Sequence, residues 1–174
     1  MMSGATPFDR PYPELLAWLE QHDVEYELHE HVPTFTARAT ATAEGIDPRT
    51  FAKVVAIATD DGREALIVLD ATDHLDLRKA ERVLGAEQVR LLTEVQLKGL
   101  APACDLGAMP AVGSLFGLGT YADYAVRDDP DISFNAGSHR YSARVDRASW
   151  ERACGVVYGD LATESDTRPA WARS

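Results

Sequence analysis

A strand-like run of hydrophobic positions extends from Phe51 to Thr59, where the chain reads Phe-Ala-Lys-Val-Val-Ala-Ile-Ala-Thr. Successive side chains of an extended chain point to opposite faces, so Lys53, Val55 and Ile57 share one face. The other face carries small apolar residues. A strand that is apolar on both faces is typical of the interior of a covered sheet. The pattern therefore predicts a buried strand with one lysine near its start.

A second apolar segment, from Glu64 to Ala71, follows the first after the short sequence Asp60-Asp61-Gly62. An aspartate-glycine pair between two strand-like runs is typical of a tight β-hairpin turn. We therefore expect the two segments to form a hairpin.

Other periodic segments predict both helices and strands. Leu15, Leu16 and Leu19 share one face of a helix that begins near Pro13. Two further predicted helices, over residues 37–44 and 75–85, end at glycines. A fourth predicted helix begins at Thr93, which has capping-box spacing, and a closing helix spans residues 148–154. The remaining predicted strands span residues 24–29, 89–92, 120–126, 132–134 and 140–145.

These elements predict an α/β (α+β) fold, a single compact domain with a central mixed, largely antiparallel sheet surrounded by helices. A chain of 174 residues with 45% hydrophobic residues can bury one core without being divided. We expect a flexible N-terminus over residues 1–10, the folded domain over 11–160 and a disordered tail over 161–174. The tail is polar and aperiodic, which is typical of disorder.

Lys53 has two interpretations. A lysine in a buried strand must bring its ammonium group to an acidic partner or to a cleft that holds a ligand, because an isolated buried charge is unfavourable. Alternatively, the aliphatic stem packs against the strand and the ammonium group reaches water at the strand end. The pattern of this strand alone favours the second interpretation.

A glycine-rich loop between Asp105 and Gly119 is the second candidate feature. Gly107, Gly113 and Gly117 lie among small apolar residues there, which predicts a tight loop with several exposed backbone amides. Such amides can bind an oxyanion or a carbonyl oxygen. The loop lacks the spacing of nucleotide-binding motifs. A buried Ω-type crossover is an equally good interpretation of the same residues.

The formal net charge of −11 argues against a protein that coats nucleic acid. Positive charge is nevertheless concentrated in residues 138–152, which contain four arginines and two acidic residues, and in Arg78, Lys79 and Arg82. These groups could meet an RNA end locally, or they could form a solvated face with balancing charges. No apolar run approaches membrane-spanning length, and the N-terminus lacks a leader pattern, so we expect a cytoplasmic protein.

Metal ligands and side-chain nucleophiles are poorly represented. His29 and His31 share a strand face but lack a third ligand at useful spacing, and Cys104 and Cys154 lack zinc-like spacing. No serine has the context of a nucleophile elbow. An acidic stretch after the second strand lacks the pattern of a calcium loop, so we interpret it as the N-terminal cluster of a helix. Its members are Asp70, Asp73, His74 and Asp76.

Four separate blocks make the chain resemble the YbaK and prolyl-tRNA synthetase-associated domain family, whose members edit mischarged aminoacyl-tRNA and so maintain translation fidelity. The blocks are Phe-Ala-Lys53-Val-Val, residues 75–79 ahead of Leu84-Gly85-Ala86, residues 107–113, and Phe134-Asn-Ala-Gly137-Ser-His139. The resemblance runs from about His31 to Trp150, and the order and spacing of the blocks make it more specific than any single one.

The resemblance places the family's essential lysine at Lys53 and the start of its Gly-x-x-x-Pro loop at Gly107. In this chain Ala111 stands where the motif proline is expected, and Pro110 precedes it. The chain departs from the family's pattern at this point, and the departure bears on the course of the loop and on the substrate that it selects.

The resemblance implies a trans-editing deacylase that hydrolyses the ester of mischarged tRNA, most readily tRNA-Pro substrates, without a metal or an organic cofactor. Lys53 and Gly107 would be catalytic, because amides of the loop would polarise the ester carbonyl and Lys53 would hold a phosphate or the ester electrostatically. The substrate-binding candidates are Thr34, Thr36, Ala111, Gly113, Asn135 and Ser138.

The expected partners are the acceptor end of aminoacyl-tRNA and, as a second candidate, an aminoacyl-tRNA synthetase; neither DNA nor a membrane is expected. The alternative is a catalytically weak binding module of the same fold that recognises an aminoacyl-adenosine end or a protein. Lys53 favours the enzyme, because a module without catalysis would have little reason to keep a costly buried amine.

Overall fold

The computed structural model of the protein describes residues 10–47 and 49–163, which contain five α-helices and eight β-strands. The helices are α1 (Pro13–Gln21), α2 (Ala37–Glu44), α3 (Leu77–Leu84), α4 (Glu94–Leu100) and α5 (Arg147–Cys154). The strands are β1 (Tyr26–Glu30), β2 (Ala52–Thr59), β3 (Glu64–Asp70), β4 (Val89–Leu91), β5 (Gly119–Asp123), β6 (Asp131–Ser138), β7 (Tyr141–Asp146) and β8 (Val157–Gly159). This mixed content confirms the predicted α/β class.

The strands form two sheets, whereas the sequence pattern predicted one central sheet. A three-stranded antiparallel sheet has the order β1-β7-β6, and a five-stranded mixed sheet has the order β4-β2-β3-β5-β8. The predicted hairpin is present, because β2 and β3 pair antiparallel with Ala52 opposite Asp70 and Ala58 opposite Glu64. The parallel pairs are β3 with β5 and β5 with β8. The strand β2 therefore lies inside its sheet, between β3 and β4.

The two sheets meet at Phe51, whose side chain is fully buried. Phe51 forms a parallel bridge with Ser133 of β6. The Ser133 amide donates a hydrogen bond of 3.2 Å to the Thr50 carbonyl, and the Ala71 amide donates one of 2.8 Å to the Phe51 carbonyl. Lys53 follows this junction by two residues, so its position relative to β6 is fixed by backbone pairing.

Local signals in the sequence predicted most helix ends correctly. Thr36 caps α2 by accepting a hydrogen bond from the Ala39 amide, and Gly45 ends that helix with φ of +69°. Asp76 accepts from two amides at the start of α3, which confirms its interpretation as an N-terminal residue of a helix. Thr93 opens α4 with the predicted capping box. Each signal satisfies backbone groups that a helix end leaves unpaired.

The structure differs from the predicted bounds after β5. The strand predicted over residues 120–126 ends at Asp123, and a 3₁₀ turn spans Tyr124–Asp128. The Asp123 carboxylate causes this change of direction, because it accepts hydrogen bonds from the amides of Ala125, Leu161 and Ala162 at 2.9 to 3.0 Å. The same bonds hold β8 and the segment after it, which the sequence pattern did not predict.

Leu161 is fully buried, so the ordered chain extends into the segment 161–174 that we predicted to be a disordered tail. The rest of that tail, and the predicted flexible N-terminus apart from Arg10, lie outside the described residues. No helix within residues 10–47 and 49–163 has the length and apolar character needed to cross a membrane.

Candidate functional site

A cavity of about 410 Å³ opens beside the junction of the two sheets. Its walls come from the start of α2, the first half of β2, the turn after β3, the glycine-rich loop and the bulged part of β6. The lining residues are Phe35, Thr36, Ala37, Arg38, Ala52, Lys53, Val54, Ala71, Thr72, His74, Gly107, Met109 and Asn135. Four of the predicted site residues, Thr36, Lys53, Gly107 and Asn135, therefore meet at one place.

Lys53 enters the cavity wall from β2, half-buried. Its ammonium group donates a hydrogen bond to the backbone carbonyl of Asp73, in the turn that follows β3. Burial lowers the pKa of Lys53, and the negative charge of Asp73 opposes that change. The lysine thus combines a partly desolvated ammonium group with a polar partner at the edge of a cleft.

Gly107 also lines the cavity and has φ of +84°, a conformation that residues with a β-carbon adopt only with strain. The loop around it is fastened to the end of β6 by two backbone hydrogen bonds. The Asp105 amide donates to the Gly137 carbonyl at 2.8 Å, and the Gly137 amide donates to the Ala108 carbonyl at 2.9 Å. The loop is therefore a pinned part of the wall, as a group that binds a carbonyl oxygen must be.

Asn135 is only 8% exposed and lines the same cavity. Its Oδ1 atom has no hydrogen-bond partner among the described residues. The pairing of β6 with β7 is irregular between Asn135 and Ser138, so Asn135 is the last regularly paired residue before the bulge that carries Gly137. A buried polar atom without a protein partner is free to bind a water molecule or a polar group of a ligand.

The sequence-based site prediction missed nine of the thirteen lining residues, among them Phe35, Arg38 and His74. Phe35 is 76% exposed, and its ring centroid lies 4.9 Å from that of His139. The sequence does contain a signal for Phe35, since an apolar residue before a helix cap normally packs against an apolar residue four positions into the helix. Here that position is Thr40. The sequence alone therefore shows that Phe35 has no apolar partner at the start of α2.

Two predicted substrate-binding residues serve the fold of the glycine-rich loop instead of lining the cavity. Ala111 is fully buried in the main core, and its carbonyl accepts a hydrogen bond of 2.7 Å from the indole of Trp150. The Gly113 amide donates to Thr120 Oγ1 at 2.9 Å. A β-carbon at Gly113 would lie 2.6 Å from the carbonyl oxygen of Leu118. This close approach explains the glycine without a ligand.

Thr34 and Ser138 are also absent from the cavity lining. The hydroxyl groups of Thr34 and Thr40 are hydrogen-bonded at 2.6 Å, which ties the chain before α2 to the helix. Ser138 is fully buried, and its hydroxyl oxygen accepts from the Arg140 amide at 3.1 Å. Both residues shape the segments that carry the cavity wall, and direct contact of either with substrate stays a prediction.

His31 and Glu44 form a buried pair behind α2, with 3.5 Å between His31 Nε2 and Glu44 Oε1. Ser142 of β7 donates a hydrogen bond to the same carboxylate oxygen. These contacts hold the end of α2 against the three-stranded sheet. Within residues 10–47 and 49–163, no group of three or more His, Cys, Asp or Glu side chains is arranged to hold a metal ion.

The two cysteines are unsuited to nucleophilic chemistry. Burial raises the pKa of Cys104 to about 12, with the charges of Glu14 and Asp105 acting in the same direction. Burial alone raises the pKa of Cys154 to about 12. The thiolate is the nucleophilic form of cysteine, and neither side chain forms it to a useful extent at neutral pH.

A larger open depression of about 1140 Å³ lies beside β1 and contains none of the predicted site residues. Its charged residues are Glu20, Asp23, Glu25, Glu27, Asp131, Arg144 and Asp146. The single arginine is paired with Asp131 at 2.9 Å. This acidic surface repels a polyanion.

The family comparison agrees with the geometry of the smaller cavity. The model of the aminoacyl-tRNA editing domain matches residues 31–153. The chain belongs to the aminoacyl-tRNA editing domain family. The matched segment includes every residue that lines the cavity.

Solved structures share the fold of this editing domain. A protein described as a candidate trans-editing enzyme for prolyl-tRNA synthetase has a TM-score of 0.76 at 22% identity, over 88% of this chain and 99% of that one. The hypothetical protein APE2540 has a TM-score of 0.78 at 16% identity, over 86% and 99% of the two chains. A chain from a study of epitope grafting onto scaffold proteins has a TM-score of 0.74 at 23% identity, over 87% and 96%. Among proteins with curated descriptions, none matches this chain.

Proposed function

We propose that the protein is an aminoacyl-tRNA deacylase that acts in trans and hydrolyses the ester bond of mischarged tRNA, most readily tRNA-Pro. The observation that carries this proposal is the meeting of Lys53, Gly107 and Asn135 in one cavity. These residues come from three separate stretches of the chain and supply a cation, a loop of backbone amides and a buried amide side chain. Membership of the editing domain family supports the same activity.

The ester carbonyl would be bound by backbone amides beside Gly107, whose pinned loop needs no reorganisation when negative charge develops on the carbonyl oxygen. Lys53 would act electrostatically on a phosphate or on the ester and would transfer no proton, because a point charge suits that role. The attacking water would be positioned by the free hydroxyl of the terminal ribose. No metal takes part in this scheme.

The cavity volume of about 410 Å³ falls in the range of small-molecule sites, which is roughly 300 to 1,000 Å³. It suits the aminoacyl-adenosine end of a tRNA and excludes a duplex. Arg38 at the cavity rim, which is exposed, would meet the phosphate that precedes the terminal adenosine. The partners would be charged tRNA and an aminoacyl-tRNA synthetase, in the cytoplasm where both work.

The test is release of amino acid from a panel of charged tRNAs by wild type, Lys53→Ala and Lys53→Arg. We expect Lys53→Ala to fold and to lose on the order of a hundredfold or more in rate. We expect Lys53→Arg to be slow as well, because a planar guanidinium does not replace a compact ammonium group in a small cavity. Lys98→Ala is the matched control, since Lys98 is exposed on α4.

Two results would contradict the proposal. Wild-type turnover by Lys53→Ala on the best substrate would remove the lysine from the mechanism. Loss of activity in EDTA with recovery in zinc would contradict the metal-free scheme and indicate a reaction that depends on a metal ion. If no charged tRNA is hydrolysed but an unreactive aminoacyl-adenosine analogue binds, the protein is the binding module, an alternative that the departure from the motif at Ala111 favours.

A further inference from the structure

The proposed chemistry leaves the buried amide of Asn135 without a defined role. The side chain lines the cavity, the residue is 8% exposed, and Oδ1 lacks a partner among the described residues. An unpaired buried acceptor is unfavourable unless a ligand or an ordered water supplies a donor. Oδ1 can only accept, so the missing group on the ligand is a donor.

The backbone around Asn135 is held firmly, which fixes where its side chain starts from the cavity wall. Asn135 pairs with Ser142 of β7. The carbonyl of the next residue, Ala136, accepts a hydrogen bond of 2.8 Å from the Tyr12 amide. Gly137 then packs so closely that a β-carbon there would lie 2.6 Å from the β-carbon of Tyr12. The acceptor is therefore built into the wall.

Resting on the proposed function, we propose that Asn135 Oδ1 accepts a hydrogen bond from the α-ammonium group of the aminoacyl ester. The substrate class is then restricted to esters with a free α-amino group. N-acylated esters lose both the charge and the geometry of this donor. The enzyme would accordingly spare peptidyl-tRNA and other N-blocked tRNAs while it hydrolyses mischarged aminoacyl-tRNA.

The α-ammonium group suits this position better than the other donors of an aminoacyl-adenosine. It carries a positive charge, and hydrogen bonds with a charged donor are shorter and stronger than neutral ones. It lies two bonds from the ester carbonyl carbon, so a carbonyl bound beside Gly107 brings the amine to a neighbouring part of the same wall. The remaining donors are the ribose hydroxyl and the adenine amino group, which every tRNA presents regardless of what is esterified to it.

The test compares three esters of one tRNA: alanyl, lactyl and propionyl. They have nearly the same size, and at the α-position they carry an ammonium group, a hydroxyl group and no donor, respectively. Hydrolysis rates are measured for wild type, Asn135→Ala and Asn135→Asp, which keeps an acceptor. Comparing variants on the same ester cancels the intrinsic reactivity of that ester.

We expect Asn135→Ala to slow alanyl ester hydrolysis by about tenfold or more, as for loss of a hydrogen bond to a charged group. The same change should leave the propionyl ester unaffected and the lactyl ester in between, and Asn135→Asp should keep the alanyl rate well above that of Asn135→Ala. Equal slowing of all three esters would overturn the inference and assign Oδ1 to the ribose hydroxyl.

A measurement on wild type alone covers the case in which Asn135→Ala fails to fold. The rate enhancement over spontaneous hydrolysis is compared for alanyl-tRNA and N-acetylalanyl-tRNA. We expect the enhancement to be about tenfold or more lower for the N-acetylated ester, and equal enhancement would overturn the inference. If wild type hydrolyses no aminoacyl-tRNA at all, the deacylase proposal itself fails, which is a different outcome from hydrolysis without discrimination.

Discussion

Trp150 donates a hydrogen bond of 2.7 Å from its indole Nε1 to the carbonyl oxygen of Ala111. Both residues are fully buried, and the bond joins α5 to the middle of the glycine-rich loop. Because Gly107 lies four residues earlier, this contact fixes the loop on one side of the residue that lines the cavity. The backbone bonds between residues 105–108 and Gly137 fix the start of the loop.

Trp150→Phe tests this anchor. We expect the variant to fold with a free energy of unfolding lower by about 1–3 kcal/mol, because the Ala111 carbonyl loses its strong donor while buried. The phenyl ring retains much of the packing in the core. Urea unfolding monitored by circular dichroism measures the change, and an unchanged unfolding midpoint would mean that the bond contributes nothing to stability.

Ala111→Pro restores the residue that the family motif expects. We expect the variant to fold and to retain deacylase activity, because the carbonyl that Trp150 binds is kept and proline removes only its own amide donor. The Ala111 amide makes no hydrogen bond within the described residues. The added ring carbons enter a packed core, which typically costs about 1–3 kcal/mol. A variant that does not fold would mean that the loop follows another course here than in its relatives.

Gly107→Val tests the loop as the carbonyl-binding element. Gly107 has φ of +84°, and the left-handed conformation costs roughly 1–2 kcal/mol for a residue with a β-carbon, more for a β-branched one. The nearest heavy atom to an added β-carbon is His139 Cε1 at 3.8 Å, so the strain comes from the backbone and not from a clash. We expect turnover of a charged tRNA to be lost.

Gly99→Ala is the matched control for that change. Gly99 lies in α4, has no positive φ, and has open space where a β-carbon would lie. We expect this variant to be as active as wild type and slightly more stable, because alanine is the better helix former. Full activity in a folded Gly107→Val would move carbonyl binding to another part of the cavity.

Much of the fold could be predicted from short-range signals. The hairpin turn, the glycine at the end of α2 and the capping box of α4 each act within a few residues, so the sequence carries them directly. The way the two sheets meet depends on the bridge between Phe51 and Ser133. That contact joins segments far apart in the chain, and no local periodicity encodes it.

The site residues also fall into two groups, those that a local sequence signal reveals and those that only tertiary structure brings together. Lys53 was detectable because a charge interrupts an apolar strand, and Asn135 because the family block contains it. The carbonyl partner of Lys53 comes from the turn after β3, and the wall around Phe35 comes from α2, so neither could be paired with the lysine without tertiary structure. Ala111 and Gly113 were assigned to substrate because the family resemblance places them in the motif loop, although both are buried.

Asp70 gives the protein a stability that depends on pH. Burial raises the pKa of this carboxyl group from 3.8 to about 7, and the negative charges of Asp129, Asp73 and Asp123 add to the effect against a smaller opposing contribution from Arg49. A folded-state pKa above the unfolded value means that the folded protein binds more protons between the two pKa values. The free energy of unfolding contributed by Asp70 therefore falls as pH rises from about 4 to about 7.

Asp70→Asn should remove this dependence, since the neutral amide resembles the protonated carboxyl group at every pH. We expect the variant to be more stable than wild type at pH 8 and to differ less from it at pH 5, as measured by urea unfolding in matched buffers. Asp61→Asn is the control with the opposite sign, because Arg63 and Thr59 lower the pKa of Asp61 to about 2. The contribution of Asp61 to the free energy of unfolding is lost only in acid. The difference in free energy of unfolding between Asp61→Asn and wild type should therefore be the same at pH 5 and pH 8. Should Asp70→Asn differ from wild type by the same amount at both pH values as well, Asp70 does not titrate in this range and the carboxylates around it do not interact as the structure indicates.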